Sequence, residues 1–114
     1  MEKFVSYQVD KPWGHEVIWA KTNNYVGKLL FIKDQQRLSL QYHKVKEETI
    51  YVQDGTLTLQ IDKEDIVLPA GNYYHIAPGI IHRMSAKHGD CKVIEVSTPQ
   101  LEDVVRIEDD YKRT

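Results

Sequence analysis

Hydrophobic and polar residues alternate in short runs along most of this chain. In residues 37–43, leucines and a tyrosine alternate with arginine, serine, glutamine and histidine. This period of two is typical of a β-strand with two different faces. Further short apolar runs cover residues 16–20, 25–32, 49–52, 56–61, 66–71, 73–78, 80–85 and 92–97. No convincing amphipathic helix interrupts them, so the pattern predicts an all-β sandwich or barrel.

Turn-forming residues separate these runs. Residues 22–24, Thr-Asn-Asn, divide the first two runs, and Asp-Gly at 54–55 predicts a hairpin between the runs on either side of it. Pro-Gly at 78–79 predicts a turn that presents His82 at the start of a strand. The acidic tail, residues 101–114, predicts either a short helix or an irregular lid.

Length and charge restrict the number of domains and the kinds of partner. The 114 residues suffice for one domain, 1–114, and the formal net charge of −2 provides no basic field for nucleic acid. The chain has no apolar stretch of about 18 residues, and its N-terminus lacks the apolar run of a signal peptide. The single cysteine, Cys91, is interpreted as a small core side chain rather than a catalytic thiol. We therefore expect a cytoplasmic protein that binds neither membrane nor nucleic acid.

Four polar residues form the first candidate for chemistry. Gln41 and His43 share one face of their predicted strand, Glu48 begins the next strand, and His82 follows the turn at 78–79. If that face points inward, leaving the amide and the imidazole unpaired costs about 1–3 kcal/mol each, and one metal ion would satisfy both. Nitrogen and oxygen ligands of this kind suit Zn, Fe, Mn, Ni or Co. Spacing alone leaves open that the two histidines are unrelated surface or core residues.

Two sequence motifs resemble those of the cupin superfamily. The segment from Gln41 to Gly55 is similar to the first cupin motif, with Gln41 in the position of its first histidine, and residues 71–82 are similar to the second. More narrowly, residues 11–14, 38–43, 82–83 and 105–113 resemble the isomerase domain of type II mannose-6-phosphate isomerases, without the guanylyltransferase domain of the bifunctional members. The resemblance implies an all-β fold, a single cupin jelly-roll β-barrel with a short C-terminal tail, and a homodimer. It also implies one divalent metal ion, zinc first with Fe, Mn, Ni or Co as alternatives, ligated by Gln41, His43, Glu48 and His82.

The resemblance further implies a metal-dependent sugar-phosphate isomerase in polysaccharide or nucleotide-sugar metabolism, with a reaction such as mannose 6-phosphate to fructose 6-phosphate. This chemistry needs cations for the phosphate and a base beside the reacting carbon. We predict Arg37, Lys46 and Arg83 as phosphate anchors and Glu95, a carboxylate in an apolar run, as the base. For each cation the alternative is a solvated surface charge. Alternative functions are a non-catalytic sugar-binding or regulatory cupin, or a different metal enzyme such as an oxygenase or epimerase.

Overall fold

The computed structural model describes residues 5–113, and the regular structure of these residues consists of eleven β-strands. In chain order the strands are β1 (Tyr7–Lys11), β2 (Gly14–Lys21), β3 (Val26–Ile32), β4 (Leu40–Tyr42), β5 (Glu48–Asp54), β6 (Thr56–Ile61), β7 (Glu64–Pro69), β8 (Tyr73–Ile76), β9 (His82–Ser85), β10 (Cys91–Ser97) and β11 (Val105–Glu108). Alternating burial is clearest in β10, where every second side chain is buried. The predicted all-β class is confirmed.

The strands form two antiparallel sheets. The larger sheet has the order β1-β2-β3-β10-β5-β8, and the smaller sheet has the order β11-β4-β9-β6-β7. None of the described strands belongs to both sheets, so the jelly roll is a sandwich of two sheets rather than a barrel closed by hydrogen bonds. Within residues 5–113 there is no helix long and apolar enough to cross a membrane.

The hydrophobic core lies between the two sheets and takes side chains from both. Ile50 and Val52 of β5 and Leu57 and Leu59 of β6 are fully buried, and each such side chain stabilises the fold by about 1.5–3 kcal/mol. Cys91, at the start of β10, joins this cluster, and burial raises the pKa of its thiol to about 11. A thiol that stays protonated at neutral pH agrees with its interpretation as a core side chain.

The predicted strand at residues 37–43 is only partly correct. Strand β4 contains Leu40–Tyr42 alone, and Arg37 makes a single isolated bridge with Ser85. Leu38 and Gln41 both line the interior cavity described below, although residues three apart on a regular strand face opposite ways. The chain is irregular between them, so the face of Gln41 does not extend back to Arg37.

The predicted hairpin at residues 54–55 is wrong. Strand β5 pairs with β10 and β8 in the larger sheet, whereas β6 pairs with β7 and β9 in the smaller one. Gly55 is therefore a corner at which the chain passes between sheets. Its φ is +80°, and a Cβ atom there would lie 2.5 Å from the backbone oxygen of Asp90. The Asp-Gly pair indicates a left-handed residue, but it carries no information about which strand pairs with which.

Within residues 101–113 the acidic tail forms a strand and not the predicted helix. Residues 105–108 form β11, which pairs antiparallel with β4, with Val105 opposite Tyr42 and Arg106 opposite Gln41. Because β4 is an inner strand of the smaller sheet, the tail completes that sheet at its edge. The tail is thereby brought beside the residues predicted to bind metal.

Candidate metal centre

Three of the four predicted ligands meet inside the fold. His43 follows β4, Glu48 begins β5 and His82 begins β9, and their donor atoms lie within 4.8 Å of one another. Nε2 of His43 is 2.8 Å from Oε1 of Glu48, and Nε2 of His82 is 3.7 Å from the same oxygen. All three side chains are at most 3% exposed. Residues 39 positions apart in sequence therefore form one buried cluster.

The hydrogen bonds of the two histidines direct their free nitrogen atoms toward Glu48. Nδ1 of His43 lies 2.6 Å from the carbonyl oxygen of Asp103, and Nδ1 of His82 lies 2.9 Å from that of Ile80. A carbonyl only accepts, so each Nδ1 carries the proton and each Nε2 presents a lone pair. Among the described residues, neither Nε2 atom and neither oxygen of Glu48 has a hydrogen-bond partner.

Such a group of buried acceptors is unfavourable unless a proton or a metal cation lies among them. Histidines that donate Nδ1–H to a carbonyl and ligate through Nε2 are a common arrangement in metal sites. Burial lowers the pKa of His82, which keeps its ring neutral. Burial opposes the charge of Glu48, but the nearby positive charge of Lys46 helps to hold its pKa below the usual range. Neutral imidazoles beside a carboxylate are suitable ligands for a divalent ion.

The fourth predicted ligand, Gln41, lies next to this cluster. It stands directly opposite His82 in the pairing of β4 with β9, and residues in such a pair lie side by side on one face. It also lines the same cavity as His43, while its Oε1 accepts a hydrogen bond of 2.7 Å from the hydroxyl of Ser39. Ligation by Gln41 stays a prediction, but the register places its amide on the required side.

The cavity beside the cluster is lined with charged residues. Among the described residues, its basic side chains are Lys11, Lys28, Lys46, Arg106 and Arg113, and its acidic side chains are Glu16 and Glu95. Ion pairs engage several of these side chains. Glu16 of β2 accepts from Lys28, 3.4 Å away, with Lys11 at 3.8 Å, and Lys46 donates to Glu95 over 3.2 Å. The positive lining favours an anionic ligand.

Lys46 and Glu95 are both buried although both can ionise. Lys46 is 5% exposed and Glu95 is 4% exposed. Burial and the nearby Glu48 carboxylate raise the pKa of Glu95 to about 7, in opposition to Lys46. Burial alone would lower the pKa of Lys46, but Glu95 and Glu48 outweigh it and raise that pKa. The structure thus places a predicted base and one predicted anchor together in the cavity wall.

The other two predicted anchors lie outside the cavity. Arg37 forms a bidentate ion pair with the exposed Asp110, at 2.7 and 2.9 Å. Arg83 follows His82 on β9 and so faces the opposite side of the smaller sheet. Its guanidinium donates to the carbonyl oxygen of Leu38 at 2.9 Å and is 3.6 Å from Asp110. The structure does not bring either arginine to the metal cluster.

Several residues of the site were not predicted from the sequence, among them Glu16, Lys28, Asp103, Arg106 and Arg113. Lys28 interrupts an apolar run and shares a face with the buried Leu30, which is the same signal that identified Glu95. Glu16 likewise shares a face with the buried Ile18. Asp103 gave no such signal, because its contacts with residues 44–46 are 57–59 positions away in sequence.

Two sheets with a buried His-Glu-His cluster at one end define a cupin, and solved cupin structures share this fold. A cupin described as RmlC-like, from Shewanella frigidimarina, matches with a TM-score of 0.78 and 17% identity over 86% of this chain and 87% of its own. KdgF from a Halomonas species matches with a TM-score of 0.76 and 19% identity over 90% and 92%. At these identities the likeness shows the fold alone.

Sequence comparison defines the family more narrowly. The family model described as the C-terminal part of mannose-6-phosphate isomerase matches residues 2–109, so the chain belongs to this family. The alginate biosynthesis protein AlgA of Pseudomonas aeruginosa is 30% identical in an alignment 112 residues long, which covers 94% of this chain and 23% of that protein. The chain therefore spans about a quarter of the length of this relative.

Proposed function

We propose that this protein is a metal-dependent isomerase of a phosphorylated sugar. The observation that best supports the proposal is the buried cluster of His43, Glu48 and His82, whose acceptor atoms lack donors beside a cavity with a positive lining. The cluster provides a place for a divalent ion, and the lining suits a substrate that carries negative charge. Membership in the mannose-6-phosphate isomerase family favours this substrate class.

The reaction assigns separate tasks to the metal and to the protein. A divalent ion held by His43, Glu48, His82 and Gln41 would polarise the sugar oxygen that gains charge in the transition state. Glu95 faces the cavity from β10, and as a carboxylate it accepts the proton from one carbon of the sugar. The resulting acid returns this proton to the neighbouring carbon, so that one residue is base and then acid. Lys46 orients the Glu95 carboxylate through their ion pair.

We assign the phosphate to basic residues of the cavity lining rather than to Arg37 and Arg83. Arg106 and Arg113 both belong to the C-terminal segment and both line the cavity. Guanidinium groups suit phosphate because they donate two parallel hydrogen bonds. Lys46 stays a candidate anchor, although its partner Glu95 already takes part of its hydrogen-bonding capacity.

The test is a coupled assay with mannose 6-phosphate, in which metal content is measured on the same preparation. We expect turnover that a chelator abolishes and one divalent ion restores. Glu95→Gln should retain the metal but lose activity by a factor on the order of 10²–10⁴, the usual contribution of a general base. Glu64→Gln, which alters an exposed glutamate on β7, is the matched control and should remain fully active.

One outcome would contradict the proposed isomerase, and a second would contradict the role of Glu95 alone. A fully metallated protein that binds phosphorylated sugars without turnover would indicate a binding module, detectable as thermal stabilisation by the sugar. An active Glu95→Gln variant would leave the isomerase in place but remove Glu95 as its base.

A further inference from the structure

Asp103 of the C-terminal segment contacts both a candidate metal ligand and the loop that follows it. Its backbone oxygen accepts the Nδ1–H of His43 at 2.6 Å. Its carboxylate accepts the backbone N–H groups of Lys44, Val45 and Lys46 at 3.0, 2.7 and 2.9 Å. One residue therefore holds a metal-ligand candidate through its main chain and the adjacent loop through its side chain.

This loop connects two of the three clustered ligands, His43 and Glu48. It has no regular secondary structure, and its first residues, Lys44 and Val45, are exposed, so strand pairing does not fix its backbone there. Asp103 accepts from three consecutive N–H groups, and the hydroxyl of Thr98 accepts from the next one, that of Glu47, at 3.0 Å. Without the carboxylate, three N–H groups would lose their partner at once.

We propose that Asp103 is a positioning residue that assembles the metal centre from the C-terminal segment. Its carbonyl fixes the tautomer and the orientation of His43, and its carboxylate fixes the distance between His43 and Glu48. The inference rests on the metal site of the proposed function but not on the reaction proposed there. Partners that orient metal-ligating histidines typically affect metal affinity by about 10–100-fold.

The test measures Zn²⁺ affinity of the full-length, metal-stripped protein by competition with a chromophoric chelator. Asp103→Asn keeps the size of the side chain but loses an acceptor and the charge, and we expect about 10-fold weaker binding. Asp103→Ala removes the carboxylate, and we expect a loss approaching 100-fold. The matched control is Asp110→Asn, which weakens a different contact of the same segment, the ion pairs of Asp110 with Arg37 and Arg83, and should bind Zn²⁺ within twofold of wild type.

A second readout separates positioning from general stability. The visible absorption spectrum of bound Co²⁺ reports ligand geometry, and it should change in Asp103→Asn but not in Asp110→Asn at a temperature where circular dichroism shows every variant folded. A folded Asp103→Asn variant with unchanged Zn²⁺ affinity and spectrum would overturn the inference, as would equal losses in both variants. If Asp103→Ala does not fold, Asp103→Asn decides the question. Failure of the wild type to bind any divalent ion would instead overturn the metal site itself.

Discussion

The two ends of the interior are built on the same strands from opposite kinds of residue. Val52 of β5 lies opposite Val93 of β10 in the closed, apolar end. Further along the same inner faces, Glu95 lies opposite Lys28 of β3, and Glu48 begins β5. The apolar residues are stabilised by packing against one another, whereas the charged residues depend on a few specific ion-pair partners and on any ligand that binds in the cavity. We infer that one end provides most of the stability and the other end provides the chemistry.

The largest effect on stability should come from the apolar end. Leu59→Ala removes a fully buried side chain of β6, and we expect a loss of about 2–5 kcal/mol because the cavity left behind collapses only in part. Denaturant unfolding measures this loss, and Val67→Ala, at an exposed position on the adjacent β7, should change stability by less than about 0.5 kcal/mol. A folded Leu59→Ala variant should bind metal as the wild type does. Weakened binding would mean that the two ends are not independent.

At the charged end, replacing one member of the Lys46–Glu95 ion pair should reduce stability more than replacing both members. Lys46→Met leaves the buried Glu95 without its donor, and we expect a loss of about 1–3 kcal/mol. The double variant Lys46→Met/Glu95→Leu should recover most of that loss, because apolar residues often replace a buried ion pair without harm. Lys87→Met is the control, since Lys87 and its partner Asp65 are half exposed, and it should cost at most about 1 kcal/mol. Additive losses in the double variant would contradict the pairing.

The apolar end should also show a pH dependence caused by Cys91. Its pKa is raised from 9.0 to about 11 in the folded state, so between these values the unfolded chain loses the thiol proton while the folded chain keeps it. The free energy of unfolding therefore has its full value below pH 9 and falls as the pH rises, by about 1.4 kcal/mol at pH 10. The measurement is the difference in unfolding free energy between wild type and Cys91→Ala from pH 8 to 10. A constant difference would show that the thiol is not desolvated.

At both ends, the sequence predicts the features that depend on local spacing. Period-two alternation identified most of the strands, and polar residues at inward positions identified Gln41, His43 and Glu95, because local spacing determines the face of a side chain. Gly55 shows where this reasoning fails. The Asp54-Gly55 dipeptide predicts the positive φ of Gly55. Whether the next strand returns to the same sheet depends instead on strand pairings between residues far apart in sequence.

The same limit applies more strongly to two predicted anchors and to the C-terminal segment. Arg37 and Arg83 were predicted as anchors from their charge, but an irregular stretch in one case and the opposite face of β9 in the other place them outside the cavity. Asp103 has no local pattern that would mark it. Its role arises only when β11 pairs with β4 and brings the tail to the ligand loop.

The smallest effect on stability should come from Arg37, whose side chain lies outside the charged cavity. Its ion pair with Asp110 is more than two-fifths exposed on both sides, so Arg37→Ala should cost at most about 1 kcal/mol, and less at high salt. Calorimetric titration with mannose 6-phosphate should give the same affinity for this variant as for wild type, whereas Arg106→Ala should weaken binding of the phosphorylated sugar. If Arg37→Ala weakens it instead, the phosphate binds on the outer side of the smaller sheet, and the division between a closed apolar end and a charged catalytic end no longer describes where the substrate lies.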